Sequence, residues 1–367
     1  MKANGRIAFF LPAVRGGGAQ RVVVNLVEGI TERGYPVDLV LAEADGVFLR
    51  SLPPAVRMVD LGARRLLGSL RPLAEYLRRE RPRVLVSSMS HANLVALWAA
   101  RLAGRVTPVV VTEHNTMSQA NQHENVVSRN LWPILLRRFY PWASSVVAVS
   151  RGAADDLART SGFPRAQVEV VYNPVITRSV MALAREEPGH PWFEPGQPAV
   201  ILGVGRLTRQ KDFPTLIRAF AQLRSRRQAR LIILGEGEDR AELERLIAEL
   251  QLTQDVALPG FQNAMAYMAR SALFVLSSAW EGLPTVLIEA LAAGTRVVST
   301  DCPSGPREIL QEGRLGALVP VGDPAALARA MEAALDQPGG EVSADALKPY
   351  TMDAAVDHYL SVIEQAA

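Results

Sequence analysis

Residues 199–220 read AVILGVGRLTRQKDFPTLIRAF. An apolar run ends in glycine, a cationic loop follows, and a helix begins near Asp212 or Phe213. A run this uniformly apolar suits a strand buried on both faces, the condition of a parallel sheet covered by helices. The same rhythm recurs downstream in RLIILGEG (230–237), DVALPGF (255–261), LFVLSSA (273–279), TRVVST (295–300) and GALVPVG (316–322). Upstream lie RIAFFLPAV (6–14), VDLVLAE (37–43), RVLVSSM (83–89), PVVVTEH (108–114), SSVVAVS (144–150) and VEVVYN (168–173). Six strands and six, separated by helical patterns, predict an α/β protein of two doubly wound domains.

The boundary between them falls in residues 174–198, where Pro174, Pro188, Pro191, Pro195 and Pro198 give the composition of a linker. The expected division is a first domain over 1–175, a linker over 176–198 and a second domain over 199–350. Ala355, Val356, Tyr359, Leu360 and Ile363 recur at helical spacing, so 351–367 reads as a terminal amphipathic helix packing back on the first domain. Ligands of such sheets bind at the carboxyl ends of the strands, and two facing domains would place a cleft there.

Composition narrows the setting. Cys302 is the single cysteine, which excludes an internal disulfide and suits a reducing, cytoplasmic compartment. No apolar run approaches the roughly 18 residues of a membrane-spanning helix. MKANGR before IAFFLPAV imitates a short signal peptide, but Pro12, Arg15 and three glycines follow in place of a small-residue cleavage site, and a first buried strand fits better. Residues 1–175 carry 22 Lys+Arg against 13 Asp+Glu, and the remainder 18 against 24. A basic first half suits anionic partners, phosphates or lipid headgroups, although an arginine-rich proteome produces the same bias. It contains no nucleic-acid-binding motif, and the other half is acidic.

Three stretches carry chemistry. In VRGGGAQRVVVNLVEGI (14–30), Gly16, Gly17 and Gly18 stand between a strand and a helix, either as a phosphate-binding nest or as a tight turn. No G-K-[ST] follows, so it is not a P-loop. In GVGRLTRQKDF, Arg206 and Lys211 sit at a strand's carboxyl end, where two cations suit a diphosphate and equally suit a solvated surface. Lysine is scarce in this chain, only Lys2, Lys211 and Lys348.

In WEGLPTVLIEALAAG (280–294), Pro284 to Gly294 reads as a helix, with proline at its first position and glycine past its end. Its start leaves the N–H groups of Thr285 and Val286 open to an anion. The helix is apolar nearly all round and is expected to be buried, yet Glu289 lies inside it. A buried carboxylate needs a partner: an arginine such as Arg296 or Arg307, or the two neighbouring hydroxyls of a ribose. Glu281 precedes the helix as a sugar-binding acid or a solvated loop residue. Glu113, His114 and Asn115 end another strand, where His114 either bonds a substrate hydroxyl or is a satisfied, partly buried histidine. No metal-ligand spacing and no G-x-S-x-G elbow is present.

The order of glycine loop, E-H-N, G-R-L-x-x-x-K and E-G-L-P-T-x-L-x-E-A-x-A-x-G resembles that of retaining GT-B glycosyltransferases of glycosyltransferase family 4, from residue 6 to about 365. The resemblance implies two facing Rossmann-like domains, a nucleotide-sugar donor on the second, an acceptor mostly on the first, and no metal or other cofactor. It implies that Arg206 and Lys211 neutralise the donor diphosphate, with Gly205, Leu283, Thr285 and Val286 lining the nucleotide site. Glu289 would hold the ribose and Glu281 the transferred sugar; Gly17 or Gly18 would reach the phosphates, and His114 the sugar's primary hydroxyl. Gln20 stands where close relatives often carry Glu.

The expected activity is transfer of a hexose or N-acetylhexosamine, from a UDP-sugar, to a glycan or lipid-linked acceptor of the cell envelope. A nucleotide-sugar epimerase of similar build and a non-catalytic nucleotide-sugar-binding subunit are the rivals. Oligomeric state is not legible. SRNLWPILLRRFYPW (128–142) and RRLLGSLRPLAEYLRRERPR (64–83) mix Arg129, Arg137 and Arg138 with Trp132, Phe139, Tyr140 and Trp142. They read either as a face for an anionic membrane, the inner side of the plasma membrane, or as core aromatics flanked by solvated arginines.

Overall fold

The computed structural model describes residues 5–15, 18–114, 116, 118, 126–337 and 342–367. The chain divides into two units, unit 1 comprising residues 1–174 and 349–367, and unit 2 residues 175–348. Gly17 and Asn115 lie outside the described residues, as does the side chain of Arg129.

Unit 1 runs β1 (Ile7–Leu11), α1 (Gly18–Glu32), β2 (Val37–Leu41), β3 (Arg57–Asp60), α2 (Leu70–Glu80), β4 (Val84–Ser88), α3 (Ser90–Leu102), β5 (Val109–Glu113), α4 (Val126–Phe139), β6 (Ser145–Ala148), α5 (Arg151–Ser161) and β7 (Val168–Val170). Unit 2 runs α6 (Arg178–Leu183), β8 (Val200–Val204), α7 (Phe213–Arg224), β9 (Arg230–Leu234), α8 (Arg240–Glu249), β10 (Val256–Gly260), α9 (Ala264–Arg270), β11 (Leu273–Leu276), α10 (Thr285–Ala292), β12 (Val297–Thr300), α11 (Pro306–Ile309), β13 (Ala317–Val319), α12 (Pro324–Asp336) and α13 (Ala344–Leu347). The last helix, α14 (Met352–Ala366), returns to unit 1.

Both sheets are parallel, in the orders β3-β2-β1-β4-β5-β6-β7 and β10-β9-β8-β11-β12-β13. All twelve strands read from the sequence are present. The additional one, β3, is an edge strand whose Arg57, Met58 and Asp60 are exposed, so the apolar run that betrays a central strand is missing. In the first sheet alternate residues enter two cores. Ala8 and Phe10 join Leu73, Leu77, Val95 and Leu157 on one face. Ile7, Phe9 and Leu11 join Val23, Val27, Val356 and Ile363 on the other. A period of two thus feeds both faces, as a sheet sandwiched between helices requires.

Helix α14 seats on α1 at Gly29. A Cβ there would lie 2.6 Å from Val356 Cγ2 and 2.8 Å from Met352 Sδ, so any larger residue would force these side chains of α14 to shift. Arg33 clasps Asp353 at 2.8 Å and also Asp357. Residues 176–198, proline-rich as a linker is, belong to unit 2: Asn263 on α9's cap bonds Leu183 O (3.0 Å) and Glu186 (2.8 Å), and Arg270 bonds Glu187 (2.6 Å). Pro188, Pro191, Pro195 and Pro198 limit regular structure there, but side chains of α9 still anchor the segment.

Candidate active site

In each sheet the strand order reverses once, between β1 and β4 and between β8 and β11. At such a point successive connections leave toward opposite faces and open a crevice at the carboxyl ends. The loops that follow β8 and β11, together with helix α10, carry most of the expected site residues.

The loop after β8 is shaped by glycine. Gly205 lies against the stem of Lys211, where a Cβ would come within 3.0 Å of its Cε and 3.1 Å of its Cδ and Cγ. Gly235 and Gly237, from the loop after β9, abut the same segment; a Cβ on either would sit 2.0 Å from Gly205 O or 2.2 Å from Leu207 O. Asp212, in the left-handed region at φ 45°, caps α7, and burial raises its carboxyl above the usual range. Gln210 Nε2 donates to Trp280 O (3.0 Å) and Ala279 N to Gln210 O (2.8 Å), lacing this loop to the one after β11.

Between these loops Lys211 Nζ lies 2.5 Å from Glu281 Oε1. Their side chains are 16% and 7% exposed, so neither is a solvated loop residue. Ser278 Oγ donates to the same Oε1 at 2.6 Å, and Ser277 Oγ donates to Lys211 O at 2.7 Å. Arg206, on the same loop, is exposed and has no partner among the described residues. Cys302 is buried nearby, and burial together with the Glu281 charge holds its thiol well above the ordinary range.

Helix α10 begins at Thr285, one residue later than the sequence predicts. Pro284 is its N-cap and offers no side-chain hydrogen bond, so the first-turn N–H groups receive no side-chain cap from it. Gly294, at φ 78°, follows its end. The expectation of all-round burial needs correction. Leu287, Ile288, Ala290 and Leu291 are buried, but Thr285, Val286 and Glu289 are half-buried and share one edge, being three and four residues apart. Leu283, in the preceding loop, is buried. The arginines considered as partners for Glu289 are engaged elsewhere: Arg296 with the carbonyls of Ala272, Ala334 and Gln337, Arg307 with Asp301 and Glu312.

In unit 1, Gly18 opens α1 with an exposed backbone and nothing within 4 Å of where a Cβ would stand. Arg15, just before the glycines, is held by Glu43 (2.5 Å) and Asp45 (2.6 Å). Glu113 is buried and accepts bonds from Ser90 Oγ (2.7 Å), Asn93 Nδ2 (3.1 Å) and the Tyr140 hydroxyl. Burial raises its carboxyl above the usual range. His114 follows, 8% exposed, and neither ring nitrogen has a hydrogen-bond partner among the described residues. Burial lowers its pKa to about 4, so the ring is neutral at pH 7. Among the described residues, no group of three or more His, Cys, Asp or Glu is placed to hold a metal ion.

Residues 16–179 match the family model described as Glycosyltransferase Family 4, and residues 185–351 the one described as Glycosyl transferases group 1. The chain is 31% identical over 338 residues to the Campylobacter jejuni N-acetylgalactosamine-N,N'-diacetylbacillosaminyl-diphospho-undecaprenol 4-alpha-N-acetylgalactosaminyltransferase, covering 86% of each chain. It belongs to the GT-B glycosyltransferases. A second relative of this transferase, at 29% identity and covering 86% of this chain and 85% of its own, is the lipopolysaccharide core biosynthesis glycosyltransferase LpsE of Rhizobium meliloti. The fold matches that of Anabaena HepE, solved in complex with UDP and glucose, with a TM-score of 0.78 at 21% identity over 98% of this chain and 100% of that one.

Sequence reasoning missed several residues that shape the candidate site: Ser277 and Ser278, Gln210, and the pair Gly235 and Gly237. The glycines had a signal, a G-x-G at the end of a strand. Ser277 and Gln210 had none, because their partners lie 66 and 70 residues away in the chain, and Ser278, whose partner Glu281 is three residues on, was passed over.

Proposed function

We propose that this glycosyltransferase moves a hexose or N-acetylhexosamine from a UDP-sugar to a lipid-linked glycan acceptor, retaining anomeric configuration and needing no metal. The observation that carries the reading is the buried Lys211–Glu281 pair at the carboxyl ends of β8 and β11, with Arg206 on the same loop.

Cleavage of the sugar–phosphate bond builds negative charge on the leaving diphosphate. Lys211, Arg206 and the N–H groups of Thr285 and Val286 then act as donors to that charge, which makes them worth more in the transition state than in the ground state. Lys211 is a compact charge on a flexible stem and shifts between Glu281 and an incoming phosphate. Glu281 accepts hydroxyls of the transferred sugar. Glu289, on the half-buried edge of α10 with Thr285 and Val286, accepts those of the ribose, beside Gly205 and Leu283. On unit 1, the family pattern assigns Gly17 or Gly18 to the phosphates and His114 to the sugar's primary hydroxyl. A buried imidazole short of partners favours such a bond. Retention follows from acceptor attack on the face that the diphosphate leaves.

Relatives named for diphospho-undecaprenol and lipopolysaccharide substrates support the lipid-linked acceptor, and the UDP complexes of HepE support the base. Peripheral attachment at the cytoplasmic face of an anionic membrane suits that acceptor. Trp132, Phe139 and Trp142 pack against the core of unit 1 and Tyr140 is fully buried, so the aromatics are not the contact. Leu131 (47% exposed) and Ile134 (63% exposed) on α4, with exposed Arg137 and Arg138, supply it instead. Among the described residues no helix is long and apolar enough to cross a membrane.

The test is a thermal-shift panel of UDP, GDP, ADP and their sugars, with and without EDTA, on the wild type and on Glu289→Ala. Ligand at 100 times its Kd stabilises by about 2.7 kcal/mol. The expected result is a UDP shift that is indifferent to EDTA and lost in Glu289→Ala. A shift with GDP or ADP alone, or one that requires a divalent ion, overturns the corresponding part. The anomeric signal of the isolated product tests retention.

A further inference from the structure

Two consecutive serines after β11 fasten the two members of the ion pair separately. Ser277, 1% exposed, donates from Oγ to the main-chain carbonyl of Lys211 at 2.7 Å. Ser278, fully buried, donates from Oγ to Glu281 Oε1 at 2.6 Å. Ser278 is itself tied down, because its carbonyl receives the Thr300 hydroxyl at 2.6 Å from the end of β12.

We propose that Ser278 is a positioning residue that sets how Glu281 meets the transferred sugar, while Ser277 sets the lysine segment that meets the diphosphate. This rests on the roles given above to Glu281 and Lys211. Lys211 and Ser278 both donate to Oε1, and they differ in kind. The ammonium is a mobile point charge that an anionic ligand draws away. The serine hydroxyl is carried on a buried loop residue whose carbonyl is tied to Thr300, and it stays. When the diphosphate claims part of Lys211, Ser278 keeps Oε1 in place and therefore keeps the carboxylate plane fixed for the sugar hydroxyls. Neither serine touches the ligand in this account. Their effects separate because their partners bind different parts of the donor.

The experiment is calorimetric titration with UDP and with whichever of UDP-galactose, UDP-glucose and UDP-N-acetylgalactosamine the wild-type protein binds tightest. The variants are Ser278→Ala, Ser278→Cys, Ser277→Ala and Glu281→Gln. Cysteine fills the space that alanine leaves empty and replaces a strong donor by a weak one, which separates loss of the hydrogen bond from a cavity in the alanine variant. Both Ser278 variants are expected to weaken the UDP-sugar by about tenfold and UDP by less than about twofold. Ser277→Ala is expected to weaken both ligands by the same factor. A Ser278 substitution that lowers both affinities in parallel, or neither, overturns the proposal, provided that Glu281→Gln lowers the preference for UDP-sugar over UDP. If Glu281→Gln leaves that preference intact, the sugar role of Glu281 is wrong and the role of Ser278 falls with it.

Discussion

Lys211 Nζ and Glu281 Oε1 lie 2.5 Å apart although 70 residues separate them in the chain. The contact joins the loops after β8 and β11, the two adjacent strands at which the order of the second sheet reverses. In the proposed mechanism this lysine exchanges its own glutamate for the donor's phosphate.

Lys211→Ala should therefore reduce turnover by about 100-fold or more, the scale of losing one charge-stabilising donor. It also strands Glu281 without its counter-ion in a buried setting, and a lower Tm follows. The double variant Lys211→Ala with Glu281→Gln should recover part of that Tm and none of the turnover. Single-turnover kinetics and thermal denaturation separate the two effects. Near-normal turnover in the single variant would contradict the role.

His114 predicts a pH dependence of stability. Its pKa is about 4 in the folded protein, below the ordinary 6.5, so between those values the unfolded chain binds a proton that the folded one does not. Stability from this group is complete above pH 6.5 and is lost as the pH falls toward 4, by about 3 kcal/mol over the whole window. His114→Gln should flatten that part of the profile. Urea denaturation of both proteins at pH 7.5 and pH 4.5 measures it, and equal slopes would count against a buried neutral ring.

Gly235→Ala should be costly although it alters no charged residue. Its φ is 133°, and a Cβ would stand 2.0 Å from Gly205 O. A main-chain carbonyl does not yield as a side-chain tip does, so a loss of about 2–4 kcal/mol is expected, together with a weaker response to UDP as the Gly205–Lys211 segment is displaced. Chemical denaturation and the nucleotide thermal shift read these effects separately.

The pair Leu131→Glu and Ile134→Glu should abolish flotation with anionic vesicles at low salt. Hydrolysis of a UDP-sugar in solution should be unchanged, since both side chains point to solvent on α4. Flotation that survives the double substitution would remove α4 from the membrane face.

Much of the fold was legible because burial writes itself into composition. A central strand of a parallel sheet is apolar on both sides, so IAFFL, VILGV and LFVL stood out, whereas β3 with Arg57, Met58 and Asp60 exposed did not. The candidate site was legible where one loop carries a whole pattern, as in Arg206 to Lys211 and Glu281 to Glu289. It was illegible where a residue matters through a distant partner. Nothing in SSAWEG indicates that Ser277 holds the carbonyl of Lys211, 66 residues away.

By itself, then, the sequence determined two units of alternating strands and helices and the cations and acids at the ends of particular strands, because periodicity and local spacing encode those. Only the tertiary structure decided that Lys211 pairs with Glu281, that Glu289 lies on a half-buried edge, and that the aromatics after residue 131 serve the core while Leu131 and Ile134 face outward. Such facts depend on which surfaces meet, and that is settled when separate segments pack, not along any one of them.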